Sequence, residues 1–451
     1  MLRKYTAKYF GYPLQDYVKK TSILETLKFL RESQYWEESR IQDYRLEKLK
    51  KLISYSYNNV PYYEKLFNTI KLKPSDIKSL KDINKIPILT KEIVRKENMN
   101  LVARNHSMKY VKKGKTGGTT GAPIIVLLDV YNRSFTWASY YRWYEWIGVN
   151  YYDKTVTFWG ERTVLTKPLK NIFIDLTKNL LQNHLLINSF NMSKEDLSQI
   201  YKKLIKYKPV VLKGYLSALL DFSSYIESNS LIGLRPKVLS STSETLLPHH
   251  RKYLEKTFNA PIYNQYGCGE VTAIAYECPH NNGLHINLEH VIIEILNDNN
   301  TAANQEMGRV IATDLDNLVM PFIRYENGDM ATFSSIKCAC GINQPLLESV
   351  DGRTIDTIAL KNGSKVHGVF FTDILYELNV LTDKIQRFQV CQEKVGEIEL
   401  RLESASGIDN SIRNVLHSTL MKFFEKVEII TLNKLENENN GKFKYIKSIN
   451  L

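Results

Sequence analysis

Cysteine is scarce in this chain: five residues in 451, too few and too scattered for a disulfide framework, so a reducing, cytoplasmic setting is expected. No run reaches the ~18 consecutive apolar residues of a spanning helix, so no transmembrane segment is expected. Met1-Leu2-Arg3-Lys4 leads into charged, Tyr-rich sequence instead of an apolar core, so no secretory leader is expected either. Basic residues outnumber acidic ones, 61 against 48, for a net charge of +13. They are interleaved with acids and form no stripe, which argues against nucleic acid and leaves two readings, a Lys-rich surface or an anionic small ligand. There is no internal repeat, and the only low-complexity tract is Asn437–Asn440.

What is present is ordinary in bulk: 43% hydrophobic and 24% charged residues, with length enough for two domains and a large core. Residues 22–70 read as helix, with Leu24, Leu27 and Leu30, then Leu46, Leu49 and Leu52, at near-helical spacing up to Asn58-Asn59-Val60-Pro61. Such helices could rest on a membrane, but docking on the protein's own surface is the expected use. Pro74-Ser75-Asp76 and Ser79 suggest helix caps, and Ile86-Pro87-Ile88 an extended link. From 130 to 270, helical stretches (132–147, 193–207, 216–229, 248–258) alternate with short apolar strands (Thr155–Trp159, Leu185–Ile187, Val210–Leu212, Val238–Ser240, Ala260–Tyr263). That alternation predicts an α/β sheet with covering helices. Strands follow at Val291–Leu296, Arg309–Thr313 and Phe322–Tyr325. After Asp351-Gly352-Arg353 a compact pattern begins, with strands at Gly396–Leu402 and Glu428–Leu432 around a helix at 408–425. Two domains are therefore expected: a large α/β domain over 1–352, whose first hundred residues are helical, and a small α+β domain over 353–451.

Five stretches suggest chemistry. Lys115-Thr116-Gly117-Gly118-Thr119-Thr120-Gly121-Ala122-Pro123 can form a phosphate nest, because glycines expose backbone N–H groups and threonines add hydroxyl donors. No Gly-Lys-Ser/Thr closes it, so it is not a Walker A loop. Tyr263-Asn264-Gln265-Tyr266-Gly267-Cys268-Gly269-Glu270 offers a ring, a turn and a carboxylate suited to Mg²⁺. Arg324-Tyr325-Glu326-Asn327-Gly328-Asp329 presents a carboxylate on a turn after a strand, suited to a ribose diol. Gly352-Arg353-Thr354-Ile355-Asp356 and Asn440-Gly441-Lys442-Phe443-Lys444 complete the set. Each alone has a plain alternative: a surface turn, an Asx turn or a solvated lysine.

In this order and spacing the stretches resemble the adenylate-forming (acyl-AMP) ligases, in particular the phenylacetate–CoA ligase group and its CapK-like branch, linked to capsular polysaccharide synthesis. The resemblance covers nearly the whole chain, from "NVPYYEKLF" through "STSETLLPHHRKYLEKTFNAPIYNQYGCGE" to "GKFKYI". It implies a large domain of acyl-AMP ligase type and a small domain that rotates on a hinge near Asp356. It also implies ATP, Mg²⁺ and, within the phenylacetate group, coenzyme A. Residues Thr116, Gly117, Gly118, Thr119, Thr120 and Gly121 would hold the triphosphate, with Thr119 taking part in catalysis. Ser243, Glu244, Tyr266 and Gly267 would line the adenine, Tyr266 by stacking. Glu270 would bind Mg²⁺, Asp329 and Arg353 the ribose, and Lys442 would reach the carboxylate and α-phosphate. Partners would be a small carboxylic acid and a thiol or amine acceptor, an amino sugar or sugar acid among the candidates; the oligomeric state is left open, a dimer included.

Cys278, Cys338 and Cys340 with His285, or His280 as substitute, have the residue types of a Cys₃His zinc site. Some members of the resembled group hold structural zinc at these positions. His285 is preferred because "GLHI" should start a strand. Cys268 and Cys391 read as ordinary thiols. The acid pocket is expected around Tyr140–Trp146, Trp159–Glu161, Gly214–Ser217 and Ser240–Thr242. The chain departs from the group's pattern in "YENGD", "YGCGE" and "GRTIDTI". The first two remove hydroxyls near the nucleotide. The competing reading is a catalytically silent nucleotide-binding protein with a ligase fold.

Overall fold

The computed structural model describes residues 2–115, 124–159, 180–189, 192–353, 357–381, 385, 387–404, 407–438 and 442–448. The phosphate-nest stretch Thr116–Pro123, the hinge residue Asp356 and Glu161 lie outside them. So do Gly441 and the side chain of Arg353.

The N-terminal helices form because each buries one stripe. Helix Ile23–Ser33 hides Ile23, Leu27 and Leu30, and helix Glu38–Asn59 hides Ile41, Leu49, Leu52 and Ile53. Val60 is extended and Pro61 opens helix Pro61–Thr69, where the missing N–H costs nothing. These helices pack into the apolar clusters of the large domain, so docking on the protein itself is the use they serve. Helices at residues 2–19 precede them, which the Tyr-rich opening did not signal.

Strands β1 (Lys112–Lys115) and β2 (Ile125–Leu128) form an antiparallel hairpin around the nest stretch. Helix Val130–Trp146 follows, capped by Asp129, whose Oδ1 accepts the Asn132 N–H at 2.9 Å. Its residues are buried around most of its circumference, including Tyr141, Arg142 and Trp143. Five strands then run parallel: β3 (Thr155–Trp159), β4 (His184–Asn188), β5 (Val211–Tyr215), β6 (Val238–Thr242) and β7 (Ile262–Tyr266), in the order β4-β3-β5-β6-β7. Helices Lys194–Tyr207, Leu216–Ser228 and Pro248–Phe258 share a core with one face of this half. Helix Val130–Trp146 and the N-terminal helices cover the other. Burial from both sides explains the apolar pairs that open three of these strands, Val211-Leu212, Val238-Leu239 and Ile262-Tyr263, before polar residues appear toward their C-terminal ends.

The direction reverses at the next strand. β8 (Ala275–Glu277), β9 (Leu284–Ile286), β10 (Val291–Leu296), β11 (Gly308–Asp314), β12 (Tyr325–Phe333) and β13 (Leu346–Arg353) extend the sheet antiparallel to eleven strands, in the order β7-β8-β9-β13-β12-β11-β10.

One sequence expectation is corrected here. Phe322–Tyr325 is not the strand, and Asp329 is not on a turn after it. β12 starts at Tyr325 and includes Asp329. Arg324 takes left-handed backbone, φ +51°, which breaks the extension before Tyr325. Its guanidinium is held by both oxygens of Glu294, at 2.8 and 3.0 Å, and by the Ile86 carbonyl at 2.6 Å. Within β12, Gly328 at φ +84° allows the local kink that a turn reading anticipated.

The small domain has its own core. β14 (Thr357–Ala359) pairs with β15 (Lys365–His367). β16 (Phe388–Lys394), β17 (Glu397–Glu403), β18 (Lys426–Leu432) and β19 (Ile446–Ser448) form a four-stranded sheet in the order β18-β17-β16-β19. β17 and β18 run parallel, so the chain must cross over between them, and helix Asn410–Leu420 is that crossover. Phe371, Leu375, Leu400, Leu416, Leu420 and Phe424 belong to its apolar cluster.

Candidate active site

The site residues gather where the parallel strands end, at the edge where the sheet changes direction, the usual ligand position in open α/β sheets. β7 ends on Tyr266, and the chain doubles back at once: Ile274 N–H donates to the Tyr266 carbonyl at 3.0 Å. The return is so tight that a Cβ on Gly267 would lie 3.0 Å from the Ala273 nitrogen. Inside this loop Glu270 is buried, 4% exposed, and accepts the Tyr325 hydroxyl at 2.8 Å. The residue fits Mg²⁺: its carboxylate is fixed through one oxygen, and the other accepts no hydrogen bond from any described residue. Cys268 in the same loop has its thiol pushed well up by burial and by the nearby Glu270 and Asp329 charges, so it stays protonated and is no nucleophile.

Tyr266 and Asp329 meet across the sheet. The Tyr266 hydroxyl donates to Asp329 Oδ2 at 2.9 Å and accepts from Asn327 Nδ2 at 2.7 Å. Asn327 Oδ1 in turn accepts the Asp329 N–H at 2.9 Å. A polar contact thus exists at the position where the departure "YENGD" removed a threonine hydroxyl: Asn327 supplies it. Asp329 is the register partner of Arg353 on β13, so two residues twenty-four positions apart, both expected at a ribose, are backbone neighbours.

Glu244 is the third component. It follows Ser243, a non-glycine residue at φ +70°, an uncommon conformation that functional loops tend to retain. Glu244 sits at the N-terminus of helix Leu216–Ser228, where its carboxylate accepts the Ser217 N–H at 2.6 Å and the Ser217 hydroxyl at 2.9 Å. It also accepts the N–H of Phe443, from the small domain, at 3.2 Å. Burial raises its pKa, while the Ser217 hydrogen bonds, Arg387 and Lys442 pull the other way. The adjoining Lys442 ammonium lies 5.5 Å above the Tyr215 ring at the end of β5. Arg387, fully buried, donates to the Ser217 carbonyl at 2.8 Å and pairs with Asp221 at 3.1 Å. The small domain therefore rests on the strand-end edge and delivers Lys442 to it.

Ser217 was expected in the acid pocket and is found on Glu244, whereas Tyr325, Asn327 and Arg387 were not among the expected site residues. Tyr325 and Asn327 stood in the quoted motif, and Asn two residues before Asp is an Asx-turn signal. Arg387 had no local signal.

Away from this edge, Cys278, His285, Cys338 and Cys340 place their ligand atoms within 4.8 Å of one another. The Cys278 and Cys338 sulfurs are 3.5 Å apart, and Cys340 Sγ is 3.3 Å from His285 Nε2. These are close to the ~3.7 Å edge of a tetrahedron with ~2.3 Å zinc–sulfur bonds, so the set fits zinc. His285 Nδ1 lies 3.0 Å from the Gln344 carbonyl, which fixes the ring. His280 is not in the cluster. Gly283 between Cys278 and His285 has φ +119°, and a Cβ there would lie 2.4 Å from the Leu347 carbonyl.

The architecture defines the class. It matches a 2-hydroxyisobutyryl-CoA ligase solved in a postadenylation state with R3-HIB-AMP, at a TM-score of 0.74 and 16% identity over 93% of each chain. The fold is that of the adenylate-forming ligases. Within them, residues 358–449 match the CapK C-terminal domain. The chain is 27% identical over 286 residues to protein CapK of Staphylococcus aureus, covering 63% of this chain and 61% of that one. It is 21% identical over 377 residues to phenylacetate-coenzyme A ligase of Thermus thermophilus, covering 79% and 80%. The chain thus has the fold of the adenylate-forming ligases and is similar in sequence to CapK and to phenylacetate-coenzyme A ligases, while spanning 61% of the length of CapK. Among the described residues no helix is long and apolar enough to cross a membrane.

Proposed function

We propose that the protein activates a carboxylic acid with ATP as an acyl-adenylate and passes the acyl group to the thiol of coenzyme A or to an amine. The observation that carries this is the arrival of Lys442 and Phe443 at the strand-end edge, on Glu244 and Tyr215. The kinship with phenylacetate-coenzyme A ligases supports it. In the first half-reaction a carboxylate oxygen attacks the α-phosphorus and pyrophosphate leaves. Two anions must approach, so the barrier is mainly electrostatic. Lys442 supplies positive charge to both. Thr116–Gly121, with Thr119, would cradle the triphosphate. Ser243, Tyr266 and Gly267 would line the adenine beside Glu244, and Asp329 and Arg353 would hold the ribose. Glu270 would hold Mg²⁺, which contributes charge neutralisation when bound. Cys278, His285, Cys338 and Cys340 would hold a structural zinc. Rotation of the small domain near Asp356, at a domain boundary close to residue 353, would withdraw Lys442 and admit the acceptor. A role in surface polysaccharide synthesis rests on the kinship with CapK alone.

ATP–pyrophosphate exchange across a panel of acids tests the reading. A true substrate should support exchange, and Lys442→Ala should reduce it by about 10²–10³-fold. Tight ATP binding with no exchange for any acid would favour the silent nucleotide-binding reading instead.

A further inference from the structure

Lys213 lies near the end of β5 and has no carboxylate partner among the described residues. Its Nζ donates to Gln265 Oε1 at a long 3.3 Å and stands 4.5 Å from the centre of the Tyr140 ring. Burial alone shifts its titration, with no opposing charge among the described residues, and lowers its pKa to about 8. Yet the side chain is only half-buried by accessible area, unlike its packed neighbours Leu212 and Gly214. A lysine that is desolvated and still accessible faces a recess, not close-packed core.

The neighbours describe that recess. Lys213 is the register partner of Thr157 and of Ser240. Gln265 is the partner of Thr242 and of Tyr276. Paired positions share a face of the sheet, so these residues line one surface beneath helix Val130–Trp146, from which Tyr140 projects. Two of their polar atoms, Ser240 Oγ and the Tyr276 hydroxyl, are buried without a hydrogen-bond partner among the described residues. Buried hydroxyls are rarely left unpaired, and Ser240 is the register neighbour of an ammonium with no opposing charge among the described residues. Tyr215, under the Lys442 ammonium, is two residues further along β5 on the same face, about 6.6 Å away along the strand.

We propose that Lys213 is a specificity-determining residue for an acid whose far end has a second negative charge. The reacting carboxylate would lie under Lys442, and the second anion would reach Lys213, with Ser240 and Gln265 as hydrogen-bond partners. This rests on the ligase reading of the same edge. An anion there replaces water lost by the ammonium, whereas an apolar acid would leave the charge buried and unpaired. The site thus selects by exclusion as well as by attraction.

Binding measured without ATP separates this inference from the ligase reading. The probes are matched acids: succinate, glutarate, adipate and phenylene diacetate against butyrate, valerate, hexanoate and phenylacetate. At least one dianion should bind the wild type at least tenfold more tightly than its monoanionic match. Lys213→Met should remove that preference, and Lys213→Arg should keep part of it. Lys213→Gln serves if the Met variant does not fold. Affinity for the dianion should fall as pH rises through about 8, while monoanion affinity stays flat. The other titratable groups facing this recess stay neutral there: Tyr140 is pushed up to about 12, and Tyr276 and Cys268 well above their ordinary values, each chiefly by burial. No difference between the two acid classes, or a difference that Lys213→Met leaves in place, overturns the inference. Dianion binding that depends on Lys213 without pyrophosphate exchange upholds it and sinks the ligase reading alone.

Discussion

At the scale of single residues, Arg142 shows how much of the large domain hangs on one side chain. It is 1% exposed and pairs with Glu289, also fully buried, at 2.7 Å. The same carboxylate accepts from Ser33 at 2.6 Å and Gln344 at 2.7 Å, so one ion pair ties helix Ile23–Ser33, helix Val130–Trp146 and the segment next to the cysteine cluster. Burial pushes the Glu289 pKa up, but Arg142 and the hydrogen bonds outweigh it and hold the carboxyl below its ordinary value. Arg142→Met strands a buried carboxylate and should destabilise the fold by about 3–5 kcal/mol, read from urea or thermal unfolding. A depressed carboxyl contributes stability above its unfolded pKa of roughly 4.3 and loses it as pH falls through the folded value, so the gap between wild type and variant should narrow below about pH 4. None of this was legible in the sequence. Arg142 and Glu289 are 147 positions apart, and a buried Arg in an aromatic helix looks like any amphipathic one. Tyr266, Asp329 and Glu270 were legible, because each stands beside a glycine that bends the backbone.

At the scale of elements, the strands found correctly were those with a local apolar signal, such as Val291–Leu296, which the structure reproduces residue for residue. β1 was missed because Lys112-Lys113-Gly114-Lys115 has no apolar alternation; its strand character comes from pairing with β2. β12 was misplaced because its sequence contains Asn-Gly-Asp, a turn signal overridden by pairing to β11 and β13. The cysteine cluster was half legible. Residue types pointed to it, but the choice of His285 depended on β9 presenting that ring toward Cys340. If zinc occupies it, a strong chelator should lower the melting temperature by on the order of 5–10 °C. Cys338→Ser should already start lower and respond little to chelator. Metal analysis should find about one zinc per chain in the wild type.

At the scale of the whole molecule, the two domains meet through buried contacts. Arg387 reaches Ser217 and Asp221, Tyr376 bonds the His249 ring at 2.6 Å, and Phe443 bonds Glu244. Arg387→Ala removes the partner of a half-buried carboxylate and leaves a void. Undocking should become easier by about 3 kcal/mol, seen as a more than tenfold faster proteolytic cut near the domain boundary with the large domain's melting unchanged. That two domains exist was readable from the change of texture after residue 353. How they touch was not, since contacts between distant segments leave no periodicity. The reversal of the sheet between β7 and β8 has one more consequence. Glu270 and Asp329, proposed for metal and ribose, lie beyond that seam, in the loop after β7 and on antiparallel β12, while Tyr266 ends β7 at the seam itself. Tyr140, Lys213 and Ser240 belong to the parallel half and its covering helix. Lys213 and the metal and ribose groups thus sit on separate stretches of chain, so a lineage could change the charge at Lys213 while leaving Glu270 and Asp329 untouched.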